Sequence, residues 1–334
     1  MVRIGQLGVG YWGKNLLRNF ASLPDCDVRW VCEPDETARE RAAALAPNAR
    51  FTTREADLWD DTDLDAVVIA TPAVSHAQIA QRAFDAGKHV FIEKPMSMKV
   101  DDAESLVDAS KRAEKILMVG HLLEYHPAYV RTKELIDEGE LGDIYYLYST
   151  RVNLGRVRDD ENAMWSLAPH DISLALMMIE ADPVSVSVTG QAYLRPDVED
   201  VAFMNLRFSN GVIASIHVSW LDPHKVRKLT IVGSKKMIVV DDMEPAEKVR
   251  VYDMGVNWTG QYQSYGEALS LRVGDISIPH ITMTEPLKIE CQAFIDAIKS
   301  GRPPRSDGID GLNVVRVLAA GERSLREGGA PIAI

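Results

Sequence analysis

Three glycines near the start of the chain, Gly8, Gly10 and Gly13, fall in the order G-x-G-x-x-G within GQLGVGYWGKN. The first permits a tight turn. The second lets the backbone approach a pyrophosphate, and the third lets a helix pack closely on a strand. The N-terminus of that helix then offers N–H donors and a partial positive charge to the anion. Tyr11 and Trp12 lie inside the loop and would border the same ligand. Glu33 stands twenty residues after Gly13, at the end of the next apolar run. An acid at that place accepts hydrogen bonds from the adenosine ribose. Its charge would repel a 2′-phosphate, and Pro34 and Asp35 offer no arginine instead. The pattern therefore predicts NAD rather than NADP as cofactor. A glycine-rich turn that binds nothing is the plainer alternative. The strand before the loop, the helix after it and the place of Glu33 argue against it.

Two more segments should reach the cofactor. ATPAVSH follows a strand and carries Thr71, Pro72 and His76; FIEKP follows the next strand and carries Glu93 and Lys94. In open parallel sheets, ligands bind at the carboxyl ends of the strands. A lone lysine elsewhere would be read as solvated; before Pro95, at a strand end, Lys94 is a candidate for chemistry.

The elements that must position these groups show in the hydrophobic pattern. Val2–Leu7, Val28–Cys32, Asp65–Ala70, His89–Ile92 and Ile116–Val119 read as strands. Lys14–Ser22, Thr37–Ala46, Ser75–Ala86 and Asp101–Glu114 between them read as helices. Continuous apolar strands alternating with helices imply a parallel sheet covered on both faces. From about residue 143 the pattern changes. Ile144–Asn153, Val184–Tyr193, Val201–Phe208, Val212–Trp220 and Val226–Val232 succeed one another with turns between, and Ser209–Gly211 reads as a hairpin turn. Ala163–Ile179, Pro286–Ser300 and Gly311–Glu327 read as helices, Gly233–Met237 as a solvated basic hairpin, and Asp253–Ser277 as an irregular loop. The expected fold is α/β: a Rossmann dinucleotide-binding domain over 1–120, then an α+β domain over 121–334 with a large, mostly antiparallel sheet.

The bulk numbers fit. With 334 residues, two ordinary domains are expected. A net charge of −12 without a basic face argues against a nucleic-acid partner, yet leaves room for an anion held locally by backbone N–H groups. Cys26, Cys32 and Cys291 are odd in number and lack metal spacing, so neither a disulfide framework nor a metal is expected. No apolar run reaches the roughly 18 residues of a membrane span. No signal peptide is visible, so a cytoplasmic protein is expected.

GVGYWG, ATPAVSH and especially Glu93-Lys94-Pro95 resemble the Gfo/Idh/MocA family of sugar and inositol oxidoreductases, and the resemblance spans nearly the whole chain. It implies that Lys94 reaches the nicotinamide and substrate, and that the Lys94–Pro95 peptide is cis. It also implies a catalytic histidine on a helix of the second domain, which is His170 in MWSLAPHDIS. Many members carry an acid four residues earlier. Ser166 stands there instead, which removes a strict Lys–Asp–His triad. Leu123 and Glu124 occupy places where arginines often sit, which points away from a free-polyol site. GYWGKNLLRNF, VNLGRVRDDENAMWSLAPHDIS and SWLDPHKVRKLTIVGSKKMIVVDD resemble the family's UDP-N-acetylglucosamine 3-dehydrogenases, which oxidise the sugar 3-hydroxyl to a ketone for later amination.

The resemblance thus implies NAD-dependent oxidation of a nucleotide-sugar hydroxyl. His170 would be the base and Lys94 the donor to the reacting oxygen, although a lysine beside a cationic ring can exchange that role. A buried, packing histidine is the alternative for His170. Asn153, Arg156, Arg158 and Trp165 could hold the substrate: arginine grips a pyrophosphate bidentately, and tryptophan lies against a sugar face. Loop charges exposed to solvent would explain the arginines equally. His121 and Tyr125 could line the sugar site, or pack beneath the cofactor. A related uronate or free-sugar dehydrogenase is the first rival, and an inactive NAD-binding regulatory module the second. An open sheet in the second domain predicts a homodimer or homotetramer, and the product predicts coupling to an aminotransferase.

Overall fold

A computed structural model describes residues 1–155, 161–258 and 269–334. In chain order the elements are β1 (Val2–Leu7), α1 (Gly13–Ala21), β2 (Cys26–Cys32), α2 (Glu36–Ala43), β3 (Arg50–Thr52), α3 (Ala56–Trp59), β4 (Ala66–Ile69), α4 (His76–Asp85), β5 (His89–Ile92), α5 (Val100–Ala113) and β6 (Leu117–Val119). Then come α6 (Pro127–Asp137), β7 (Ile144–Val152), α7 (Ala163–Ile179), β8 (Pro183–Gln191), β9 (Val201–Phe208), β10 (Ile213–Ser219), β11 (Val226–Gly233), β12 (Met237–Asp241), β13 (Val249–Trp258) and β14 (Leu269–Ser277). The chain ends with α8 (Pro286–Ser300), α9 (Gly308–Arg326) and β15 (Ile332–Ala333).

The contacts divide the chain into two units: 1–126 with 284–319, and 127–283 with 320–334. The expected single break at residue 120 therefore differs from the folded division. The chain returns to its first unit near the end because α8 packs on α1 and β1. Phe294 of α8 meets Phe20 and Phe91 edge-on, at ring centroids of 6.2 and 5.7 Å. Leu312 and Val315 of α9 join the core around β4, β5 and β6. An amphipathic helix does not announce in its own sequence which sheet it covers.

In the first unit six parallel strands lie in the order β3-β2-β1-β4-β5-β6. This is the doubly wound arrangement, with its strand order reversing at β1/β4. Strands β4 (AVVI) and β5 (HVFI) are almost wholly apolar because both sheet faces are covered.

In the second unit the order is β14-β13-β12-β11-β7-β10-β9-β8-β15. Every pairing is antiparallel except β7 with β10. Helix α7 is apolar around most of its circumference and packs on β7, β9 and β10. The loop expected over Asp253–Ser277 is corrected: β13 and β14 pair there as antiparallel strands, the residues between them lying outside the described set. The register shifts between Tyr252 and Met254, which breaks the two-residue alternation a strand is recognised by. Gly233–Met237 is a turn between β11 and β12, with Lys236 paired to Glu140.

Candidate active site

The dinucleotide loop is built in the first unit from β1 and α1. Gly8 has φ +88°, and a Cβ there would lie 2.5 Å from the Ala70 carbonyl oxygen. At Gly13 a Cβ would collide with the Gly8 carbonyl. Gly10 differs, because its Cβ position opens onto free space. The fold thus needs glycine at positions 8 and 13, while Gly10 leaves room for an approaching ligand. Gln6, wholly buried, donates from Nε2 to the Gly8 and Gly13 carbonyls at 2.9 and 2.7 Å. It fastens the loop from beneath, a role its sequence position does not signal. Helix α1 starts at Gly13 with no side-chain cap and no acid in its first turn. Its first N–H groups remain free of side-chain acceptors, as an anion site requires.

Glu33 closes the other side of the loop. Its Oε2 accepts from Val9 N at 2.9 Å and its Oε1 from Asp35 N at 3.0 Å. Each oxygen retains an acceptor site for a ribose hydroxyl. Arg39 is turned onto the backbone and donates to the Glu33 and Pro34 carbonyls, both at 2.7 Å. An open glycine cradle, an uncapped helix N-terminus and an oriented carboxylate fit NAD. Tyr11 is exposed, with the Lys14 ammonium 5.8 Å from its ring centroid. Trp12 donates from Nε1 to Glu93 Oε1 at 2.5 Å, joining the loop to the end of β5.

The β4 and β5 ends are tied together by His76. It is 1% exposed, with Nδ1 2.9 Å from the Pro95 carbonyl and Nε2 2.8 Å from the Thr71 carbonyl. Burial, with a smaller push from Lys94, holds its pKa below the ordinary value. The ring thereby positions the loops that bear Thr71, Pro72 and Lys94, which the sequence expects at the cofactor. Thr71 shares a 2.8 Å hydrogen bond with Ser75. The Lys94–Pro95 peptide is cis. Lys94 N donates to Glu93 Oε2 at 3.1 Å. Burial raises the pKa of the Glu93 carboxyl, and the Lys94 charge opposes that rise.

Below this end of the sheet, His121 and Tyr125 are buried side chains of the first unit. His121 Nδ1 lies 2.7 Å from Asp310 Oδ2. Burial alone would lower this imidazole, but the Asp310 and Glu124 carboxylates reverse that and its pKa rises to about 10. The Tyr125 hydroxyl lies 3.1 Å from Ser306 Oγ and accepts from Ser306 N at 3.2 Å. Both side chains thus have partners on the segment 306–310, which precedes and begins α9.

In the second unit His170 lies in the middle of α7, partly exposed, directly after Pro169. Asn162 caps the helix by accepting from Trp165 N at 3.0 Å. Ser166, one turn before His170, is buried. Asp171 is 4% exposed at its side chain and grips Arg151 of β7 through two bonds, Nε to Oδ2 at 2.6 Å and Nη2 to Oδ1 at 3.3 Å. This buried pair fixes α7 against β7, and sequence spacing gave no sign of it. Asn153 follows β7 directly, its N–H donating to the Ser219 carbonyl at 3.2 Å. Trp165 is 3% exposed and donates to Glu322 Oε2 at 3.2 Å, so its ring packs inside this unit. Arg156 and Arg158 lie outside the described residues.

Comparison with known proteins agrees with this architecture. Residues 2–121 match the NAD-binding Rossmann domain of the Gfo/Idh/MocA oxidoreductase family, and residues 129–239 match that family's C-terminal domain. The chain is 29% identical to UDP-N-acetylglucosamine 3-dehydrogenase of Acidithiobacillus ferrooxidans over 96% of this chain and 95% of that one. A solved structure of a UDP-N-acetylglucosamine 3-dehydrogenase from that organism superposes with a TM-score of 0.81 at 25% identity, covering 98% of each chain. The scyllo-inositol 2-dehydrogenase (NAD(+)) of Bacillus subtilis is 25% identical over 98% of this chain and 95% of its own. A levoglucosan dehydrogenase, 21% identical, has the same fold with a TM-score of 0.85 over 100% and 99% of the two chains. With both of its domains matched and a cofactor loop shaped for NAD, the chain belongs to the Gfo/Idh/MocA oxidoreductase family.

Proposed function

We propose that the protein is an NAD-dependent nucleotide-sugar dehydrogenase that oxidises the 3-hydroxyl of UDP-N-acetylglucosamine to the 3-keto sugar. The observation that carries the substrate is the likeness, along 96% of the chain, to a UDP-N-acetylglucosamine 3-dehydrogenase. Bound NAD supplies a hydride acceptor. His170 takes the hydroxyl proton as the carbon–hydrogen bond breaks. Lys94 donates a hydrogen bond to the oxygen that becomes the carbonyl. Ser166, one turn before His170, is not a carboxylate, so no acid at that position tunes the base. Asn153, Arg156 and Arg158 are proposed to hold the nucleotide-sugar, the arginines at its pyrophosphate.

The uncovered face of the second sheet supports self-association. Tyr146, Tyr148 and Phe203 are exposed there, the two tyrosines stacked 6.4 Å apart. A homo-oligomer is expected, as is an aminotransferase acting on the product. Among the described residues no helix is long and apolar enough to cross a membrane.

The test is NADH formation from NAD+ with UDP-N-acetylglucosamine, its uronate form, UDP-glucose, glucose and inositol. A 2-oxoglutarate-linked aminotransferase should be present to pull the ketone. Turnover with UDP-N-acetylglucosamine, abolished by Lys94→Ala and by His170→Ala, is the expected result. Turnover with glucose or inositol alone would overturn the substrate. Absence of any turnover, with NAD+ still bound, would favour a regulatory module.

A further inference from the structure

At the turn after β6 in the first unit, two acids, Glu124 and Asp310, crowd around the single imidazole of His121. His121 and Glu124 side chains are 2% exposed and Asp310 is 19% exposed. One ligand atom from each, His121 Nδ1 and a carboxylate oxygen of Glu124 and of Asp310, lie within 4.8 Å of one another. Glu124 Oε1 points into this group, 3.4 Å from His121 Nδ1, and has no hydrogen-bond partner. A further acid stands nearby on α8, which packs against the turn holding Glu124. It is Glu290, wholly buried, with neither carboxylate oxygen hydrogen-bonded.

Burying carboxylates in a low-dielectric interior demands a compensating charge or donor. The neighbouring guanidinium does not supply one. Arg305 bonds the main-chain oxygen of Glu124 and lies over the Tyr125 ring at 5.8 Å. A histidinium at His121 would balance one carboxylate and would leave Glu124 Oε1 and both Glu290 oxygens without donors.

We propose that His121, Glu124 and Asp310 form a binding site for one divalent first-row transition-metal ion, structural rather than catalytic. One imidazole nitrogen and two carboxylate oxygens suit Mn2+, Fe2+ or Zn2+. Bonds of ~2.0–2.2 Å hold ligand atoms about 3 Å or more apart, so a bound ion replaces the 2.7 Å contact of His121 Nδ1 with Asp310 Oδ2 and takes the place of the proton between them. Asp310 reaches the solvent edge and supplies an entry. Glu290 adds negative field from behind. The ion would tie the 121–125 turn to the first turn of α9, a role of which the sequence holds no sign. The site stands independently of the proposed substrate.

The experiment uses the full chain, stripped with chelator and desalted. It is titrated with Zn2+, Mn2+ or Mg2+ chloride by calorimetry, with the melting temperature followed in parallel. The expected result is one Zn2+ or Mn2+ per chain at micromolar affinity or tighter, a raised melting temperature, and no comparable Mg2+ binding. Glu124→Gln and Asp310→Asn should each weaken binding at least tenfold, while the exposed control Asp101→Asn leaves it unchanged. Should Glu124→Gln fail to fold, Asp310→Asn decides alone. Co2+ should give ligand-field absorption bands that vanish in Asp310→Asn. Absence of stoichiometric binding would overturn the site and leave the acids balanced by protons. So would binding untouched by the variants.

Discussion

The two units carry function in different physical forms. In the first, the work is done by backbone. Gly8 and Gly13 are demanded by carbonyl oxygens that leave no room for a Cβ. Glu33 is held by two main-chain N–H groups. In the second, the candidate groups are side chains on regular elements: His170 on a helix, Asn153 at a strand end, and Arg151 and Asp171 locked to each other. Backbone requirements recur as fixed spacings, so they can be read from one sequence. A side chain on a helix needs no particular neighbours in sequence, so nothing local marks it.

The largest effects should come from the two proposed reacting groups, one in each unit. Lys94→Ala and His170→Ala should each lower kcat by roughly 10²–10⁴, with NAD+ affinity nearly unchanged. Steady-state kinetics and NAD+ calorimetry check this. If His170→Ala kept full activity, the second unit would be reduced to a scaffold.

Next comes the buried Arg151–Asp171 pair. Arg151→Met removes one partner and leaves the other charge buried, a loss of about 3–5 kcal/mol. Urea unfolding measures it. Replacing both, by Arg151→Met with Asp171→Leu, should recover much of the loss. Failure to recover would show that the pair does more than balance charge.

Glycine loop variants sharpen the contrast from the other side. Gly8→Ala forces an alanine into φ +88° against the Ala70 carbonyl. It should cost about 1–3 kcal/mol in stability and weaken NAD+ at least tenfold. Gly10→Ala meets open space in the protein. It should leave stability within about 0.5 kcal/mol and weaken only the cofactor.

The smallest effect is a pH dependence in the first unit. His89 accepts a hydrogen bond at Nδ1 from Ile116 N, and burial, helped by Lys115, lowers its pKa to about 4. The unfolded chain takes up that proton near pH 6.5, so stability is full above that value and falls as pH drops towards 4. After allowance for solvent screening, the loss is about 1–2 kcal/mol. His89→Asn should flatten the urea midpoint between pH 7 and 4.5.

The parallel sheet, the cofactor loop and the cis Lys94–Pro95 peptide were legible in the sequence, the last through family resemblance, while the order of the strands and the short β3 were not. What stayed hidden shares one cause: partners distant in sequence. Nothing in the sequence shows that both ring nitrogens of His76 face carbonyls of two loops. Gln6, Arg151 and Glu290 gave no pattern at all. The hairpin β13–β14 was read as a loop because one bulge cancels the alternation. The hydrogen bond of Trp165 to Glu322, far along the chain, left no local mark either.

The central claim is hydride transfer from carbon 3 of UDP-N-acetylglucosamine to NAD+. It is tested most directly with substrate carrying deuterium at that carbon. The account predicts deuterium in the NADH formed and a slowed single-turnover rate. Turnover without deuterium in NADH would contradict it and place the oxidised carbon elsewhere.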